Sequence, residues 1–440
     1  TLDIPTLRTE LDYFQKVDVL TMAEHGRHIN ASETGVGKTL EMIATAEYLG
    51  VEKVLVVTEK SSTVATWKKE IEKHIGEESV VITGDAIDKE HLLEQARETR
   101  WIICNYETYN GLVERIQEMG PEMVIIDEAD VMNNPFSRRT AAIQSTTARY
   151  KYCVSGWIFR NSREELWPIL NWLYPEEFPS RDIFIRKYCK NQQGKQMLKF
   201  ELGHKMIFRP KSQVLPDLPK LTTSTINLTM GPVQREHYQR LENDFVAWYR
   251  ENNNGELPSG VAITKMHAVR QAALLPKYSH LYIALSQRHS EQNKTVIFCG
   301  YIQPASELVE GLAKEFNVSY LDGSTDAAER DQIMRRFNED PEEEILVMTE
   351  AGGKSIELVG ADQIYLFNPV WTQSMKKQLI DRLHRRGQTR PVFAWELITE
   401  GTLEGNISYR TEQKRIEYEE TIMDRMGYVT WFNENQASVL

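Results

Sequence analysis

The segment Ser32-Glu33-Thr34-Gly35-Val36-Gly37-Lys38-Thr39 has the residue types of a phosphate cradle. Gly35 and Gly37 let backbone N–H groups curl around a phosphate. The helical pattern that follows, 40–49, adds the positive potential of a helix N-terminus. In such a loop Thr34, Gly35, Val36 and Gly37 line the phosphates, Lys38 reaches the β- and γ-groups, and Thr39 holds Mg2+. Ser32 stands where the strict pattern has glycine. Further on, Val124-Ile125-Ile126 leads directly into Asp127-Glu128-Ala129-Asp130. A carboxylate at the end of a buried strand binds Mg2+ directly or through water, which suits Asp127. Its neighbour Glu128 can orient and deprotonate an attacking water. Taken together, the two segments imply binding and hydrolysis of ATP.

Those residues need strands and helices to hold them. Short apolar, β-branched runs are expected as strands at 54–58, 101–104, 123–127 and 152–155, then at 295–299, 318–321, 345–349, 364–367 and 392–398. Continuous apolar strands interleaved with helices imply parallel sheets covered on both faces. Val64, Trp67, Ile71 and Ile75 recur at helical spacing, as do Leu308, Leu312 and Phe316. Pro210, Pro216 and Pro219 mark a connector. Beyond it, 232–250 and 262–285 read as helices separated by a polar loop at 251–260. A long charged helix follows Thr402, to about residue 425.

Composition sets the outer bounds. A chain of 440 residues, 41% apolar and 26% charged, suits two globular domains of ordinary size. Its expected organisation is a first lobe at 1–209, a linker at 210–224, and a second lobe at 225–440 with a helical insertion near 230–290. No apolar run is long enough to span a bilayer, the N-terminus does not read as a secretory signal, and Cys104, Cys153, Cys189 and Cys299 are scattered, which favours a reducing, cytoplasmic setting. The net charge of −12 excludes a uniformly basic protein but not a local nucleic-acid patch. Positions 181 to 220 carry ten Lys/Arg against three Asp/Glu. That stretch reads equally as a solvated basic face or as such a patch.

The remaining motifs are specific as a set. Leu11-Asp12-Tyr13-Phe14-Gln15-Lys16 resembles a Q motif. The strand at 54–58 with Trp67-Lys68-Lys69-Glu70 is similar to motif Ia, and Asn105-Tyr106-Glu107-Thr108 to motif Ib. Asn134-Pro135-Phe136-Ser137, Arg160-Asn161-Ser162-Arg163-Glu164-Glu165-Leu166-Trp167, Pro175-Glu176-Glu177-Phe178 and Arg186-Lys187-Tyr188-Cys189 extend the likeness. In the second half, Phe298-Cys299 resembles motif IV, Leu321-Asp322-Gly323-Ser324-Thr325 the Asp-Gly-Ser element, and Thr349-Glu350-Ala351-Gly352-Gly353 motif V. The run Gln378-Leu379-Ile380-Asp381-Arg382-Leu383-His384-Arg385-Arg386-Gly387-Gln388 is similar to motif VI. From about Leu7 to Ile407, the chain resembles the Snf2 branch of the superfamily 2 helicases.

This resemblance implies an α/β fold of two tandem RecA-like P-loop domains with parallel sheets and small helical insertions. By the same resemblance, Gln15 reads the adenine edge and Gly353 joins the nucleotide site. Arg382 and Arg385, three apart and so expected on one helical face, are supplied from the second lobe to the γ-phosphate in the manner of an arginine finger. Sequence-independent DNA contacts are implied at Lys60, Ser61, Asn105, Tyr106, Ser324, Thr349, Lys354 and Trp371. For Trp371 a core role stands equally open.

Two motifs depart from the family pattern. Motif III, usually Thr-Gly-Thr-Pro, reads Ser155-Gly156-Trp157-Ile158, with Phe159 following. Motif V, usually Gly-x-Gly-x-Asn-Leu, reads Gly353-Lys354-Ser355-Ile356-Glu357-Leu358. The expected activity is that of a DNA-dependent ATPase that moves on duplex or branched DNA, driving branch migration or fork reversal beside replication and recombination proteins. The compact motif set suggests a bacterial or bacteriophage motor in the cytoplasm. Two alternatives remain: a strand-separating DEAD-type RNA or DNA helicase, suggested by the spelling of motif II, and a nucleotide-gated binding or protein-displacing module.

Overall fold

Alternation along the strands shows why the sequence makes layered sheets. In Val54–Thr58, Val54 and Val56 pack into one apolar cluster while Leu55 and Val57 pack into another on the opposite face. The strand 345–348 repeats the arrangement, with Ile345 and Val347 on one side and Leu346 and Met348 on the other. A strand apolar at every position has helices on both faces, and its neighbours run parallel.

The computed structural model describes residues 2–59, 61–252, 259–287, 293–353 and 356–422. The chain divides into two compact units: Thr1–Pro216 together with Lys414–Leu440, and Asp217–Gln413. Unit 1 holds β1 (Arg27–Asn30), β2 (Val54–Thr58), β3 (Ser79–Ile82), β4 (Trp101–Asn105), β5 (Met123–Asp127), β6 (Tyr150–Val154) and β7 (Met206–Ile207). Their order is β3-β4-β2-β5-β6-β1-β7, and every pairing is parallel. Unit 2 holds β8 (Leu221–Leu228), β9 (Lys294–Phe298), β10 (Val318–Leu321), β11 (Ile345–Met348), β12 (Ala361–Leu366) and β13 (Val392–Thr399). Here the order is β10-β11-β9-β12-β13-β8, again wholly parallel. The fold is thus α/β, two tandem RecA-like domains. Parallel strands bring all their carboxyl ends to one edge, the place where such sheets bind ligands.

Several elements differ from the sequence expectation. β8 begins inside the stretch expected as linker; it is an edge strand with alternating half-buried and exposed residues, rich in Thr and Ser. β1, β3 and β7 are short, and β7 has only two residues. The expected helical insertion consists of Pro232–Asn252 and Ser259–Ser286; of the polar loop expected at 251–260, residues 253–258 lie outside the described residues. The helix expected after Thr402 runs Leu403–Ile422. Its first half belongs to unit 2 and its residues from Lys414 to unit 1.

The basic stretch 181–220 is not one continuous exposed face, because part of it points inward. Lys195 is buried against Glu417 and Glu420, Lys205 pairs with Glu177 and Glu201, and Arg209 grips Asp18. Arg186, Lys187 and Lys190 stay exposed. These ion pairs tie β7 and the helices before it to the rest of unit 1. Among the described residues, no helix is long and apolar enough to cross a membrane.

Candidate nucleotide and nucleic-acid sites

The phosphate loop leaves the carboxyl end of β1 and enters the helix Lys38–Leu49. Gly35 and Gly37 have φ of 86° and 100°, a left-handed conformation that an L side chain resists. Behind the loop, Asn30 Nδ2 donates to Glu41 Oε2 at 2.6 Å, joining β1 to that helix. Arg209 holds Asp18 with bonds of 2.5 to 3.1 Å, while the Arg209 carbonyl accepts from Glu33 N at 3.0 Å. Lys38 Nζ lies over the loop, donating to Ser32 O at 2.8 Å and Glu33 O at 3.1 Å. Gln15 is buried; its Nε2 donates to Val36 O at 3.1 Å and its Oε1 accepts from Asp12 N at 3.0 Å. The carboxamide therefore props the loop backbone from the side of the helix Tyr13–His25.

Asp127 ends β5. Its Oδ2 accepts from Trp67 Nε1 at 2.8 Å and from Thr58 Oγ1 at 3.1 Å, and its Oδ1 from Glu128 N at 3.0 Å. Glu128 follows with φ 51°, the one positive φ among the described non-glycine residues. Such a conformation costs of order 1 kcal/mol or more and marks sites where geometry outranks comfort. Burial raises the Asp127 carboxyl above its ordinary range, against the hydrogen bonds from Trp67 and Thr58. Burial, then the charges of Asp127 and Asp130, push Glu128 up to about 8, while Lys38 opposes the rise. A carboxyl so raised is a strong proton acceptor once ionised.

Motif III closes the same edge. Ser155 follows β6, and its Oγ lies 3.3 Å from Asp130 Oδ1; Arg160 Nε lies 2.5 Å from Asp130 Oδ2. A Cβ at Gly156 would come 2.6 Å from Thr34 Oγ1 and 3.7 Å from Lys38 Nζ. A side chain there would require Thr34 to move, so glycine lets motif III sit close to the loop. The cradle, one lysine, and hard oxygen donors on Thr39 and Asp127 fit a nucleotide triphosphate with Mg2+.

Unit 2 carries the other half of the expected set. The Thr349 hydroxyl accepts from Gly352 N at 3.4 Å, and the Thr349 carbonyl accepts from the buried Gly353 N at 2.9 Å. Asp322 receives both Ser324 N and Ser324 Oγ at 2.8 and 2.6 Å, which holds its carboxyl below the usual range. Arg385 Nη2 pairs with Glu357 Oε1 at 2.7 Å, so one departure in motif V meets motif VI directly. Gln388 is buried and donates to the carbonyls of Val359, Ala361 and Leu383. That anchor bends the chain. The helix Gln373–Asp381 stops with Arg382 as its C-cap, and Arg385 lies in the turns beyond, so the two arginines do not share a helical face as their spacing suggested.

The expected DNA contacts separate on inspection. Tyr106 is 1% exposed and its hydroxyl donates to Asp127 O at 2.5 Å; it braces motif II and offers no surface to DNA. Thr349 is likewise buried. Asn105 caps the helix that follows it, accepting from Thr108 N at 2.8 Å. Ser324 is exposed. Trp371 is not core: it is 51% exposed, with the Arg270 guanidinium 3.9 Å above its ring. Ser61 opens the helix Ser61–Ile75, whereas Lys60 and Lys354 lie outside the described residues. Sequence reasoning missed the Asp18–Arg209 pair. It quoted Thr58, Trp67 and Arg160 within motifs without seeing their partners, since contacts across a sheet leave no local signature.

A family model described as the SNF2-related domain matches residues 17–283, and one described as the helicase conserved C-terminal domain matches 276–387. The ISWI chromatin-remodeling complex ATPase ISW1 of Saccharomyces cerevisiae is 26% identical over 431 residues, covering 88% of this chain and 38% of that protein. The SWI/SNF-related matrix-associated actin-dependent regulator of chromatin subfamily A member 1 of Mus musculus is 27% identical, covering 90% of this chain and 42% of that protein. The chain thus spans about two fifths of the length of these relatives. A solved structure described as the Sulfolobus solfataricus SWI2/SNF2 ATPase core in complex with dsDNA aligns with 96% of this chain and 98% of that one, at 21% identity and a TM-score of 0.48.

Proposed function

Because the chain belongs to the SNF2-related domain family, matched over residues 17–283, we propose that it is an ATP-driven DNA translocase. One observation carries this reading: Lys38, Asp127, Glu128 and Gly156 stand together at the carboxyl ends of β1, β5 and β6. Thr39 and Asp127 would hold Mg2+, which would supply positive charge to offset that of the phosphates. Lys38 gives up its bonds to the loop carbonyls and turns to the phosphates. Glu128 holds a water in line and takes its proton as the water oxygen bonds to the γ-phosphorus; the bond to the bridging oxygen breaks and ADP leaves. Arg382 and Arg385, which the likeness of motif VI assigns to the γ-phosphate, are the further residues we place in this chemistry.

The substrate of this motor is DNA, held through its backbone without base readout. Lys60, Ser61, Ser324, Lys354 and Trp371 remain the contacts we assign to it. Branched DNA in replication, recombination or repair, within a bacterial or phage-infected cytoplasm, is the narrower proposal, with proteins of those processes as further partners. ATP turnover measured with no DNA, duplex, forked and four-way DNA tests the reading. Stimulation by forked or four-way DNA above duplex supports the narrow form, and stimulation by duplex alone supports only the general one. If no DNA stimulates hydrolysis, the translocase reading falls.

A further inference from the structure

The unusual motif III has a partner. Trp157 is stacked on Tyr418, with ring centroids 3.7 Å apart and planes at 13°, and Phe159 lies against the same ring at 4.9 Å. Tyr418 is 1% exposed, and its hydroxyl accepts from Ile158 N at 3.4 Å. Ile422, one turn on, is buried in the same apolar cluster. Ion pairs and a hydrogen bond flank the stacked rings. Glu417 meets Arg163 at 2.8 Å and Lys195 at 3.2 Å, Glu420 meets Lys195 at 2.5 Å, and Lys414 donates to Asn161 at 2.7 Å. All these residues belong to unit 1.

Contacts continue from the ring to the nucleotide residues. The Trp157 backbone N–H donates to Ser155 Oγ at 3.1 Å, and Ser155 Oγ lies 3.3 Å from Asp130 Oδ1. Between them Gly156 lies against Thr34 and Lys38. We propose that Tyr418 is a positioning residue for ATP turnover: stacked on Trp157, it fixes the motif III backbone against the phosphate loop, so that docking of the helical segment from Lys414 to Ile422 sets the rate. The aromatic residue that displaces the usual small motif III side chain is then matched by a tyrosine from the far end of the chain. This inference rests on the ATPase reading above and extends it.

The test compares DNA-stimulated turnover, binding of a fluorescent ADP analogue and amide hydrogen exchange in the full chain. Tyr418→Ala lowers kcat by about 10- to 100-fold, the scale of a misplaced catalytic frame, while the Kd for the ADP analogue changes by less than about threefold. Exchange at Gly156 to Phe159 rises. Tyr418→Phe keeps the ring and restores most of kcat. Should Tyr418→Ala not fold, Lys195→Glu loosens the same docking without removing the ring, and Glu420→Lys in that background recovers part of it while leaving the Glu417–Arg163 pair in place. Wild-type kcat and unchanged exchange in a folded Tyr418→Ala or Lys195→Glu protein overturn the inference alone. A wild-type chain that hydrolyses no ATP overturns the functional reading first, and this one with it.

Discussion

The indole N–H of Trp67 donates to Oδ2 of Asp127 across 2.8 Å, from a ring that is itself buried. A tryptophan on the helix after β2 thereby aims the carboxylate that ends β5. With Thr58 on the same oxygen and Glu128 N on the other, Oδ2 accepts two hydrogen bonds and Oδ1 one. Groups behind a metal ligand typically change metal affinity by 10- to 100-fold when lost. Trp67→Phe retains most of the volume and removes only the donor. The expected result is a Mg2+ half-saturation for ATP turnover raised at least about tenfold, with the thermal midpoint little changed. An unaltered Mg2+ titration would show that Trp67 is packing alone.

Lys38 and Glu128 have separable tasks. Lys38→Ala removes the ammonium that we assign to the phosphates, so both nucleotide binding and turnover should fail. Glu128→Gln keeps size and polarity but cannot take a proton. It should bind a fluorescent ATP analogue at near wild-type affinity and hydrolyse ATP at least about 100-fold more slowly, the lower range of general-base effects. Turnover retained by the glutamine variant would remove Glu128 from its role.

The pair Arg385–Glu357 joins motif VI to a motif V residue where the family usually has asparagine. Glu357 is 64% exposed at its side chain, so the pair is worth only about 0.2–1 kcal/mol and is weakened by salt. If Arg385 serves the γ-phosphate, this pair competes with that service. Glu357→Asn should raise kcat about two- to fivefold at low ionic strength, with the gain shrinking at high salt. Arg385→Ala should lower kcat strongly in either background. A Glu357→Asn enzyme slower than wild type would mean the pair orients Arg385 productively instead.

The sheet strands and the nucleotide loop were legible for a physical reason. A strand covered on both faces must be apolar along its middle, and β2, β5, β9 and β11 are, with their polar residues Thr58, Asp127, Lys294 and Thr295 at the strand ends. β8 was hidden because an edge strand needs apolar residues on one side only, and its Thr and Ser carry no strong signal. Tyr106 shows a second kind of failure. Its motif fixes where it stands in the chain but not which way the ring turns, and the ring turned inward to Asp127 O. The motif VI arginines failed differently: helical spacing was inferred past Asp381, where the buried Gln388 pulls the chain out of the helix. Tyr418 could not be read as a partner of Trp157 at all, because nothing local to either residue records the other.

Unit 2 has a buried lysine whose role is structural. Lys277 is 0% exposed; its Nζ donates to Phe367 O at 2.9 Å, Leu397 O at 2.7 Å and Glu404 Oε1 at 2.7 Å. Burial draws the ammonium below its usual range, and Glu404 opposes the shift. Glu404 also accepts from Thr399 N at 2.8 Å, so it ties the start of the helix Leu403–Ile422 to the end of β13. Replacing one member of a buried pair strands the other, at about 3–5 kcal/mol. Lys277→Met should therefore destabilise unit 2 by that amount in urea unfolding. Lys277→Met combined with Glu404→Gln removes the stranded charge and should recover part of the loss. If the double variant is no more stable than Lys277→Met, the cost lies in the two backbone carbonyls and not in the carboxylate.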